Sequence, residues 1–504
     1  MILIQLNPQS KIPLFKQVFL QLKEKIDQEV LKPGDRLPSS RKFSEQLGVH
    51  RTTVSKAYEE LWALGYIESR QGSYSTIRKR TELATPQKES IQKTINWTEV
   101  ITSKSRTLIS TPNLNIQTPA EGECIDFRPL SPDPRLMPTQ DFKQCVNQVL
   151  HRDGSSLLSY GDTLGYAPLR EFIAQRMQQH SISVSADEIL LTNGAQNAID
   201  MVLQLLVEPG RTIAVESPSY SSALPLFRFR QAKIKEIPMK EEGMDLEALE
   251  RCFKQNPPAL VYTIPNFQNP TGITSNQEHR EKLLALCERY RIPLIEDGFE
   301  EEMKYFGKVV LPIKSMDQKG IVLYLGTFSK VLFPGLRIGW IAADHEVIHA
   351  LSEIKKTCEI SGNTLKHAAM HQFCQSGRYE LHIRRIHRVY RKRMETAIRT
   401  LRNHLPMENI LFTKHNGGYT LWLECLQFQN SEKEIVETML QEGVAVTAGS
   451  LFYPLPSKKK CFRISIANRN EEEIEKGIQK IGNALNKLKA NAKPTQKENE
   501  FGRT

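Results

Sequence analysis

From Cys124 onward, short apolar runs alternate with longer stretches of helical period. Four runs are typical of buried strands: residues 212–215, 260–264, 293–295 and 321–325. Three stretches are typical of amphipathic helices: residues 167–178, 196–206 and 277–290. Strands that alternate with helices usually pair in parallel, with helices covering the sheet. We therefore predict an α/β domain with a largely parallel sheet, whose ligand site lies beyond the carboxyl ends of the strands.

Composition limits what this domain and the rest of the chain can be. The chain has 504 residues, of which 39% are hydrophobic and 25% charged, which excludes a disordered chain and predicts several domains. The most apolar stretch, residues 321–340, contains Lys330 and Arg337, so we predict no membrane span. The N-terminus lacks the pattern of a signal peptide. Because the eight cysteines are scattered, we predict reduced cysteines, no metal site and a cytoplasmic protein.

The positive charge of the chain is concentrated at its N-terminus. Residues 1–80 contain 14 Lys plus Arg and 8 Asp plus Glu, a net charge of +6 out of +11 for the whole chain. This distribution suits a small nucleic-acid-binding module attached to a larger, nearly neutral body. A solvated basic face is the alternative, and charge alone does not separate the two.

Residues 10–77 show the order of a winged helix-turn-helix. Apolar residues every fourth position predict a helix over 12–30, and a second helix follows through Leu47, with Ser39 or Ser40 as its cap. A tight turn at Gly48 leads into a third helix over 51–64, which Gly65 ends. Two strand-like runs around residues 71–72 then predict a hairpin. Such a module places its third helix in the major groove of DNA.

Three segments carry a family resemblance: LPSSRK (37–42), GVHRTTV (48–54) and LGYIESRQGS (64–73). They resemble the GntR-type winged helix domain over almost all of residues 10–77. The resemblance implies DNA contacts from the third helix, from the preceding helix and from the wing tip, at Arg41, His50, Arg51, Thr52, Thr53, Lys56, Arg70 and Gly72. Outside this motif, an arginine such as Arg51 is usually a solvated surface residue.

The chain is divided by composition into four parts. Residues 79–122 lose the periodicity and are rich in Thr, Ser, Lys, Gln and Asn, which predicts a polar linker. The predicted organisation is a winged helix-turn-helix domain (1–78), this linker (79–122), the α/β domain (123–488) and a polar tail (489–504).

Polar motifs follow several of the predicted strands or precede their helices. They read LTNGAQNA (191–198), PNFQNPTG (265–272), IEDGF (295–299) and GTFSKVLFPGLRIGW (326–340). In this order they resemble the fold-type I enzymes of the aminotransferase class I and II superfamily, which use pyridoxal 5'-phosphate (PLP), over residues 125–485. The predicted fold is therefore a winged helix-turn-helix joined by a linker to a fold-type I, PLP-dependent aminotransferase-like domain.

The resemblance assigns three residues to the reacting part of PLP. Lys330 forms a Schiff base with the aldehyde, which requires a partly desolvated amine. The alternative interpretation of Lys330 is a surface lysine with a buried stem. Asp297 faces the pyridine nitrogen and keeps it protonated, or is a helix cap. Asn269 donates a hydrogen bond to the ring oxygen, or is a turn residue before a proline.

The resemblance also implies a phosphate cradle and contacts from further side chains. The cradle consists of the amides of Gly194, Ala195 and Gln196 at a helix N-terminus, with Thr327, Ser329 and Arg337. Tyr220 stacks on the ring or is a core aromatic. Tyr160 matches a tyrosine that reaches the phosphate of a neighbouring subunit, which implies a homodimer. Arg463 grips the carboxylate of an amino acid or is an ordinary strand arginine.

One position departs from the family pattern. Relatives of this lineage carry a tyrosine soon after the aspartate, where it supports the ring oxygen, whereas this chain has Phe299. A phenylalanine packs in such a site but donates no hydrogen bond, so this departure argues for binding without efficient turnover.

The order of domains is similar to the MocR/GabR family of bacterial transcription regulators. The resemblance implies a dimeric regulator that binds double-stranded DNA and whose PLP-binding body senses an amino acid, an amine or a B6-related compound. Two alternatives stay open. In the first, the chain is an active aminotransferase with a fused DNA-binding module. In the second, it is an aminotransferase whose basic N-terminal domain mediates protein contacts.

Overall fold

The computed structural model describes residues 2–68, 74–79, 95–110, 124–299, 301–413 and 416–490. Its internal contacts divide the chain into two compact units, Met1–Val100 and Ile101–Thr504. This division falls inside the predicted linker, so residues 101–110 of that linker belong to the larger unit. The described helices include none that is long and apolar enough to cross a membrane.

The first unit has the predicted order of three helices and a hairpin. Its elements are α1 (Leu14–Asp27), α2 (Ser40–Leu47), α3 (Arg51–Ala63), β1 (Ile67–Glu68), β2 (Thr76–Ile77) and α4 (Trp97–Val100). Strands β1 and β2 pair antiparallel, with Ile67 opposite Ile77. Ser39 caps α2 by accepting a hydrogen bond from the amide of Lys42 at 3.3 Å. The winged helix-turn-helix prediction is therefore confirmed as a fold.

The first helix is shorter than the sequence pattern predicts. Val18 and Leu22 are fully buried in the core of this unit, but α1 ends at Asp27 instead of residue 30. Glu29 has a φ of 57°, which an L residue does not adopt within a right-handed helix. Val30, predicted on the buried face, is consequently 63% exposed. A spacing of four residues thus continued beyond the end of the helix.

The second unit begins with α5 (Ser103–Ser110) and continues as an α/β domain. Its further helices are α6 (Thr139–Asp153), α7 (Ala167–Gln179), α8 (Ala195–Leu206), α9 (Ala223–Phe229), α10 (Leu246–Gln255), α11 (Gln277–Tyr290), α12 (His345–Glu359), α13 (Thr364–Gln375), α14 (Arg378–His404), α15 (Glu432–Gln441) and α16 (Glu471–Ala490). Its strands are β3 (Ile125–Asp126), β4 (Ile189–Thr192), β5 (Thr212–Ser217), β6 (Lys233–Lys240), β7 (Gly243–Met244), β8 (Leu260–Thr263), β9 (Leu294–Asp297), β10 (Val322–Thr327), β11 (Gly339–Ala342), β12 (Ile410–Phe412), β13 (Thr420–Cys425), β14 (Val444–Ala445), β15 (Thr447–Ala448) and β16 (Cys461–Ser465).

A large mixed sheet forms the centre of this unit. Its strand order is β4-β11-β10-β9-β8-β5-β6-β7. The inner strands from β10 to β6 pair in parallel, and β11 runs antiparallel to both of its neighbours. The strands β5, β8, β9 and β10 are almost completely buried, as expected for a sheet that helices cover. The predicted α/β domain with a largely parallel sheet is confirmed.

A second, smaller sheet follows the long helix α14. Its order is β12-β13-β16-β15, and all of its pairs are antiparallel. Strand β3, which begins the described body after the linker, pairs in parallel with β14. The parallel strands of the large sheet and strand β16 carry the predicted site residues, so these two regions position the candidate site.

Candidate functional site

The N-terminus of α3 is the predicted DNA-contacting surface of the first unit. His50 caps α3, with its Nδ1 accepting a hydrogen bond from the amide of Thr52. Gly48 closes the preceding turn with a φ of 63°, a conformation that favours glycine. His50, Arg51 and Thr52 are exposed, whereas Thr53 is half-buried. The first three side chains are therefore exposed to solvent, and their contacts with DNA stay a prediction.

Three basic side chains of this unit already have local contacts. Arg51 Nε donates to Ser40 Oγ at 3.4 Å, Arg41 lies 3.5 Å from Glu45, and the Lys56 ammonium lies 4.2 Å from the ring centroid of Phe15. Exposed pairs of this kind contribute little stability, so they leave the side chains available for phosphate. The predicted wing-tip contacts Arg70 and Gly72 lie outside the described residues.

A cavity that opens to solvent, with about 490 Å³ of empty space including its mouth, lies at the carboxyl ends of the parallel strands in the second unit. It is lined by nine residues that the sequence predicts: Ala195, Gln196, Tyr220, Asn269, Asp297, Thr327, Ser329, Lys330 and Arg337. Ile264 and Phe299 complete the lining. The strand ends bring together residues that are far apart in the sequence, as expected for a sheet of this type.

Lys330 lies just beyond the end of β10. Its Nζ donates a hydrogen bond to the backbone oxygen of Leu130 at 2.9 Å. The side chain is half-buried and lines both the cavity and a larger cleft beside it. Lys330 therefore lies between the cavity and the cleft, where its amine can react with a carbonyl group.

Asp297 is the last residue of β9 and is 2% exposed. Its Oδ2 accepts a hydrogen bond from the Tyr262 hydroxyl at 2.7 Å, whereas its Oδ1 is buried and has no partner among the described residues. Burial raises the pKa of Asp297 to about 6, and the Tyr262 hydrogen bond, the charge of Lys330 and the backbone amide of Phe299 oppose this rise. A buried carboxylate oxygen needs a donor, and the protonated pyridine nitrogen of PLP fits this need.

The N-terminus of α8 forms one end of the cavity. Gly194 caps the helix with a φ of 82°, and a Cβ atom at this position would lie 2.4 Å from Arg337 Nη2. The Ser329 hydroxyl and Gln196 Oε1 are buried without a partner among the described residues. Free helix amides, a hydroxyl and a guanidinium form the donor set that a phosphate group requires. The residues present therefore fit the phosphate of PLP.

The remaining wall contains Asn269, Tyr220 and Phe299. Asn269 is 2% exposed, and its Oδ1 accepts a hydrogen bond from Arg463 Nη1 at 3.1 Å. This contact orients the amide and directs the donating Nδ2 away from Arg463. Phe299 is 7% exposed and packs among apolar residues. Phe299 closes the wall without supplying a hydrogen-bond donor.

The cleft beside the cavity measures about 1000 Å³ and shares Tyr220, Asn269 and Lys330 with it. Arg463 on β16 is 6% exposed and lines this cleft. Its Nη2 donates to the backbone oxygen of Arg128 at 2.7 Å. The Arg128 guanidinium forms an ion pair with Asp126 at 2.8 Å on the same wall. A guanidinium thus lies within a ligand-sized space next to Lys330, as needed to bind a carboxylate.

Tyr160 lies apart from the cavity in the single chain. It is 83% exposed and is not among the lining residues. Its predicted role at the site of a neighbouring subunit stays a prediction.

Sequence reasoning missed three buried residues around the cavity. Tyr262 donates to Asp297, and Gln268 donates to the carboxylate of Glu216 at 3.1 Å. Tyr262 lies within a buried strand and reads as a core aromatic in the sequence. Glu216 and Gln268 lie inside quoted motifs, but only the fold brings these residues together.

Comparison with known proteins identifies two families. Residues 131–481 match the aminotransferase class I and II family, and residues 14–77 match the gntR family of bacterial regulatory proteins. The first match covers most of the larger unit, and the second covers the three helices and the hairpin. The two matches agree with the resemblances found in the sequence.

Individual relatives fall into two groups. The uncharacterized HTH-type transcriptional regulator YdfD of Bacillus subtilis is 30% identical over 95% of this chain and 98% of its own length. Aromatic-amino-acid aminotransferase 1 of Thermococcus litoralis is 33% identical over 70% of this chain and 86% of its own. The first group therefore matches both units, and the second matches the larger unit.

Solved structures show the same fold for the larger unit. The α-aminoadipate aminotransferase LysN of Thermus thermophilus, complexed with N-(5'-phosphopyridoxyl)-L-leucine, has a TM-score of 0.73 at 28% identity, covering 79% of this chain and 100% of its own. The multiple substrate aminotransferase of Thermococcus profundus has a TM-score of 0.72 at 29% identity, with coverage of 79% and 100%. The chain belongs to the aminotransferase class I and II family and, with its gntR-family domain in front, has the MocR/GabR type of architecture.

Proposed function

We propose that this protein is a DNA-binding transcriptional regulator whose aminotransferase-like unit binds PLP and senses an amino acid, an amine or a B6-related compound. The main support is the combination of a gntR-family domain with a cavity that retains a lysine and the donors for PLP. Relatives that match both units along 92–96% of this chain carry the name HTH-type transcriptional regulator. A regulator of this kind works on DNA and is therefore cytoplasmic.

The proposed PLP site uses the residues of the cavity. PLP, when bound, supplies an electron sink for an amine that reacts at its aldehyde. Lys330 would attach the aldehyde through Nζ, and Asp297 would hold a proton at the pyridine nitrogen. Asn269 would donate to the ring oxygen, and Arg337, Ser329 and the α8 amides would hold the phosphate. The unpartnered buried oxygen of Asp297 supports this assignment.

Phe299 favours sensing over turnover. A transaminase moves a proton repeatedly between carbon atoms, which requires a finely held ring charge. If the missing donor raises the barrier by about 1.4 to 3 kcal/mol, the rate falls about ten- to a hundredfold. Binding of an effector through Arg463 and Lys330 depends less on that donor. The effector would then act by binding one conformation of the regulator more tightly than the other.

DNA recognition in this proposal uses two copies of the first unit. His50, Arg51 and Thr52 at the start of α3 would contact bases and phosphates, with Arg41 on the DNA backbone. A homodimer would read two half-sites, and Tyr160 would reach the PLP phosphate of the partner subunit. The 83% exposure of Tyr160 in the single chain agrees with a contact to another molecule.

An active aminotransferase is the second candidate function. The retention of Lys330, Asp297 and Arg463 at one site favours it. One experiment separates the two candidates: the PLP-loaded protein is incubated with amino acids, amines and keto acids while DNA affinity and product are measured. A spectral change with altered DNA affinity and negligible product supports the regulator. Fast multiple turnover without any effect on DNA binding supports the enzyme.

A further inference from the structure

The two loops that carry Tyr220 and Asn269 leave neighbouring parallel strands. Strand β5 precedes the first loop and β8 precedes the second, and the ladder between them ends with the pair Val215 and Tyr262. Beyond this pair the chains diverge, so their buried backbone groups need other partners. The side chains that provide those partners determine how far apart the two loops lie.

Beyond the last pair of the ladder, the side chain of Glu216 provides hydrogen bonds between the two chain segments. It is 2% exposed, and its carboxylate accepts hydrogen bonds from the hydroxyl of Thr263, the amide of Ile264 at 3.1 Å and Nε2 of Gln268 at 3.1 Å. Burial raises the pKa of Glu216 to about 7, and these three donors oppose the rise. One side chain from the end of β5 therefore binds both the end of β8 and the loop that follows it.

Gln268 completes the connection and is fully buried. Its Nε2 also donates to the backbone oxygen of Pro218 at 2.8 Å, two residues before Tyr220. Its Oε1 accepts from the amide of Thr271 at 3.0 Å and from the hydroxyl of the same residue at 2.6 Å. The amide of Gln268 thus links the Tyr220 loop to the turn that contains Asn269.

Neither Glu216 nor Gln268 lines the cavity or the adjoining cleft. Their hydrogen bonds reach the site through the loops they join, and the charge of Asp297 also raises the pKa of Glu216. We propose that Glu216 and Gln268 are positioning residues that hold Tyr220 and Asn269 at the separation required by the PLP ring. This inference rests on the PLP site of the proposed function and adds two residues that do not touch the cofactor.

The test compares Glu216→Gln with a matched control, Glu296→Gln. Glu296 is also fully buried, and burial raises its pKa to about 7 as well. Its carboxylate accepts hydrogen bonds from the amides of Ile313 and Lys314, and no hydrogen bond joins it directly to either loop among the described residues. Folding of each variant is checked by circular dichroism. PLP dissociation constants and the visible absorption spectrum are then measured on the full-length protein.

We expect Glu216→Gln to raise the PLP dissociation constant about 10- to 100-fold, because its new amide group faces the donating amide of Gln268. We also expect a displaced absorption maximum, since the ring contacts of Tyr220 and Asn269 change. Glu296→Gln should change the PLP dissociation constant by less than about threefold and leave the absorption maximum in place. Equal effects of the two variants, or no effect of Glu216→Gln, would overturn the inference while leaving the PLP site intact.

The double variant Glu216→Gln with Gln268→Glu exchanges donor and acceptor. The new amide at 216 still accepts from Thr263 and Ile264 and now donates to the new carboxylate at 268, which accepts from Thr271. The Pro218 oxygen loses its donor and faces an oxygen of the new carboxylate, so the restored contact with residue 216 is partly offset. We expect a partial recovery of PLP affinity over the single variant, and a folded double variant without any recovery contradicts the inference.

If Glu216→Gln does not fold, Gln268→Leu serves as the single variant, with the same expected loss of affinity. Its effect must exceed that of Glu296→Gln, and equal affinities would contradict the inference. A wild-type protein that does not bind PLP would overturn the proposed PLP site together with this inference.

Discussion

Replacing Tyr262 by phenylalanine tests how Asp297 is kept ionised. The hydroxyl of Tyr262 donates to Asp297 Oδ2 at 2.7 Å, and this bond holds the pKa of Asp297 near 6 against the effect of burial. A hydrogen bond to a charged group contributes about 1.5 to 3 kcal/mol, so its loss raises the pKa of Asp297 by about 1 to 2. At pH 7 the ionised fraction falls from about 90% to between about 10% and 50%.

The consequence is a pH-dependent loss of PLP affinity. If only ionised Asp297 holds the pyridine proton, the apparent PLP dissociation constant at pH 7 rises about two- to ninefold. The deficit disappears as the pH rises above the new pKa, because Asp297 ionises again. The assay is a titration with PLP, followed by visible absorbance, at a series of pH values between 5.5 and 9, a range of about 3.5 units around these pKa values.

Tyr390→Phe is the matched control for this experiment. The Tyr390 hydroxyl is also buried and donates to the backbone oxygen of Ala467 at 2.9 Å, and no hydrogen bond joins it to Asp297 among the described residues. We expect the PLP affinity of this variant to follow the wild-type pH profile. A uniform loss of affinity at every pH in Tyr262→Phe, or an unchanged profile, would refute the reasoning about Asp297.

Three further predictions concern DNA binding, assembly and stability. Arg51→Ala should weaken operator binding by about 1 to 3 kcal/mol if Arg51 reads a base. If Arg51 contacts phosphate, the variant should bind all DNA sequences more weakly and with a smaller salt dependence. DNA binding that responds neither to this substitution nor to salt would exclude the groove assignment. Sedimentation at micromolar concentration should give a dimer. Tyr160→Phe should weaken PLP binding about tenfold while the protein stays dimeric. Full PLP occupancy in a monomer would contradict the shared site. The pKa of Glu296 is about 7 in the folded chain, so folding takes up a proton between about pH 4.5 and 7. As the pH rises through that range, the free energy of unfolding of the wild type relative to Glu296→Gln should fall by up to about 1.4 kcal/mol per pH unit. Urea unfolding of the PLP-free proteins checks this, and parallel pH profiles would contradict it.

The sequence predicts the three helices and hairpin of the first unit and four strands and three helices of the second because their signals are local. The third helix begins at Arg51 and the turn before it contains Gly48 with a positive φ, so residue type and spacing suffice there. The strands β5, β8, β9 and β10 are short apolar runs buried on both faces, which makes them visible without knowledge of their partners. Strand β6 has mostly exposed or half-buried residues and gives no such signal. The prediction fails at the end of α1, where the apolar spacing continues to Val30 beyond the helix.

The cavity is predicted only in part, because motifs identify residues and the fold determines their contacts. Lys330, Asp297 and Asn269 follow from quoted motifs. The donor to Asp297 is Tyr262, which lies 35 positions away, and the acceptor of Gln268 is Glu216, which lies 52 positions away. Such pairs depend on the order of strands β5, β8 and β9, which no local pattern encodes.

In the proposed PLP site, the contact between Arg463 and Asn269 would connect the effector site to the ring oxygen. The Phe299 side chain supplies no donor there, so the proposal gives this role to Asn269 Nδ2. Arg463 Nη1 binds Asn269 Oδ1 at 3.1 Å and fixes the amide. A carboxylate that binds Arg463 competes for this guanidinium. If the proposed roles of Asn269 and Arg463 hold, occupation of the cleft would therefore change the donor at the ring oxygen, even when no proton is transferred.

Arg463→Met removes this connection in the absence of any effector. A donor at the ring oxygen favours its ionised form, so loosening Asn269 should move the pH midpoint of the visible absorption band of the PLP-loaded protein upward by about 1, equivalent to about 1.4 kcal/mol. Ser131→Ala is the control, because Ser131 lines the same cleft and has no hydrogen bond to Asn269 in the described structure. Spectrophotometric titration of both variants decides the point. An unchanged midpoint in Arg463→Met, or an equal shift in Ser131→Ala, would show that Arg463 binds carboxylates without influencing the ring.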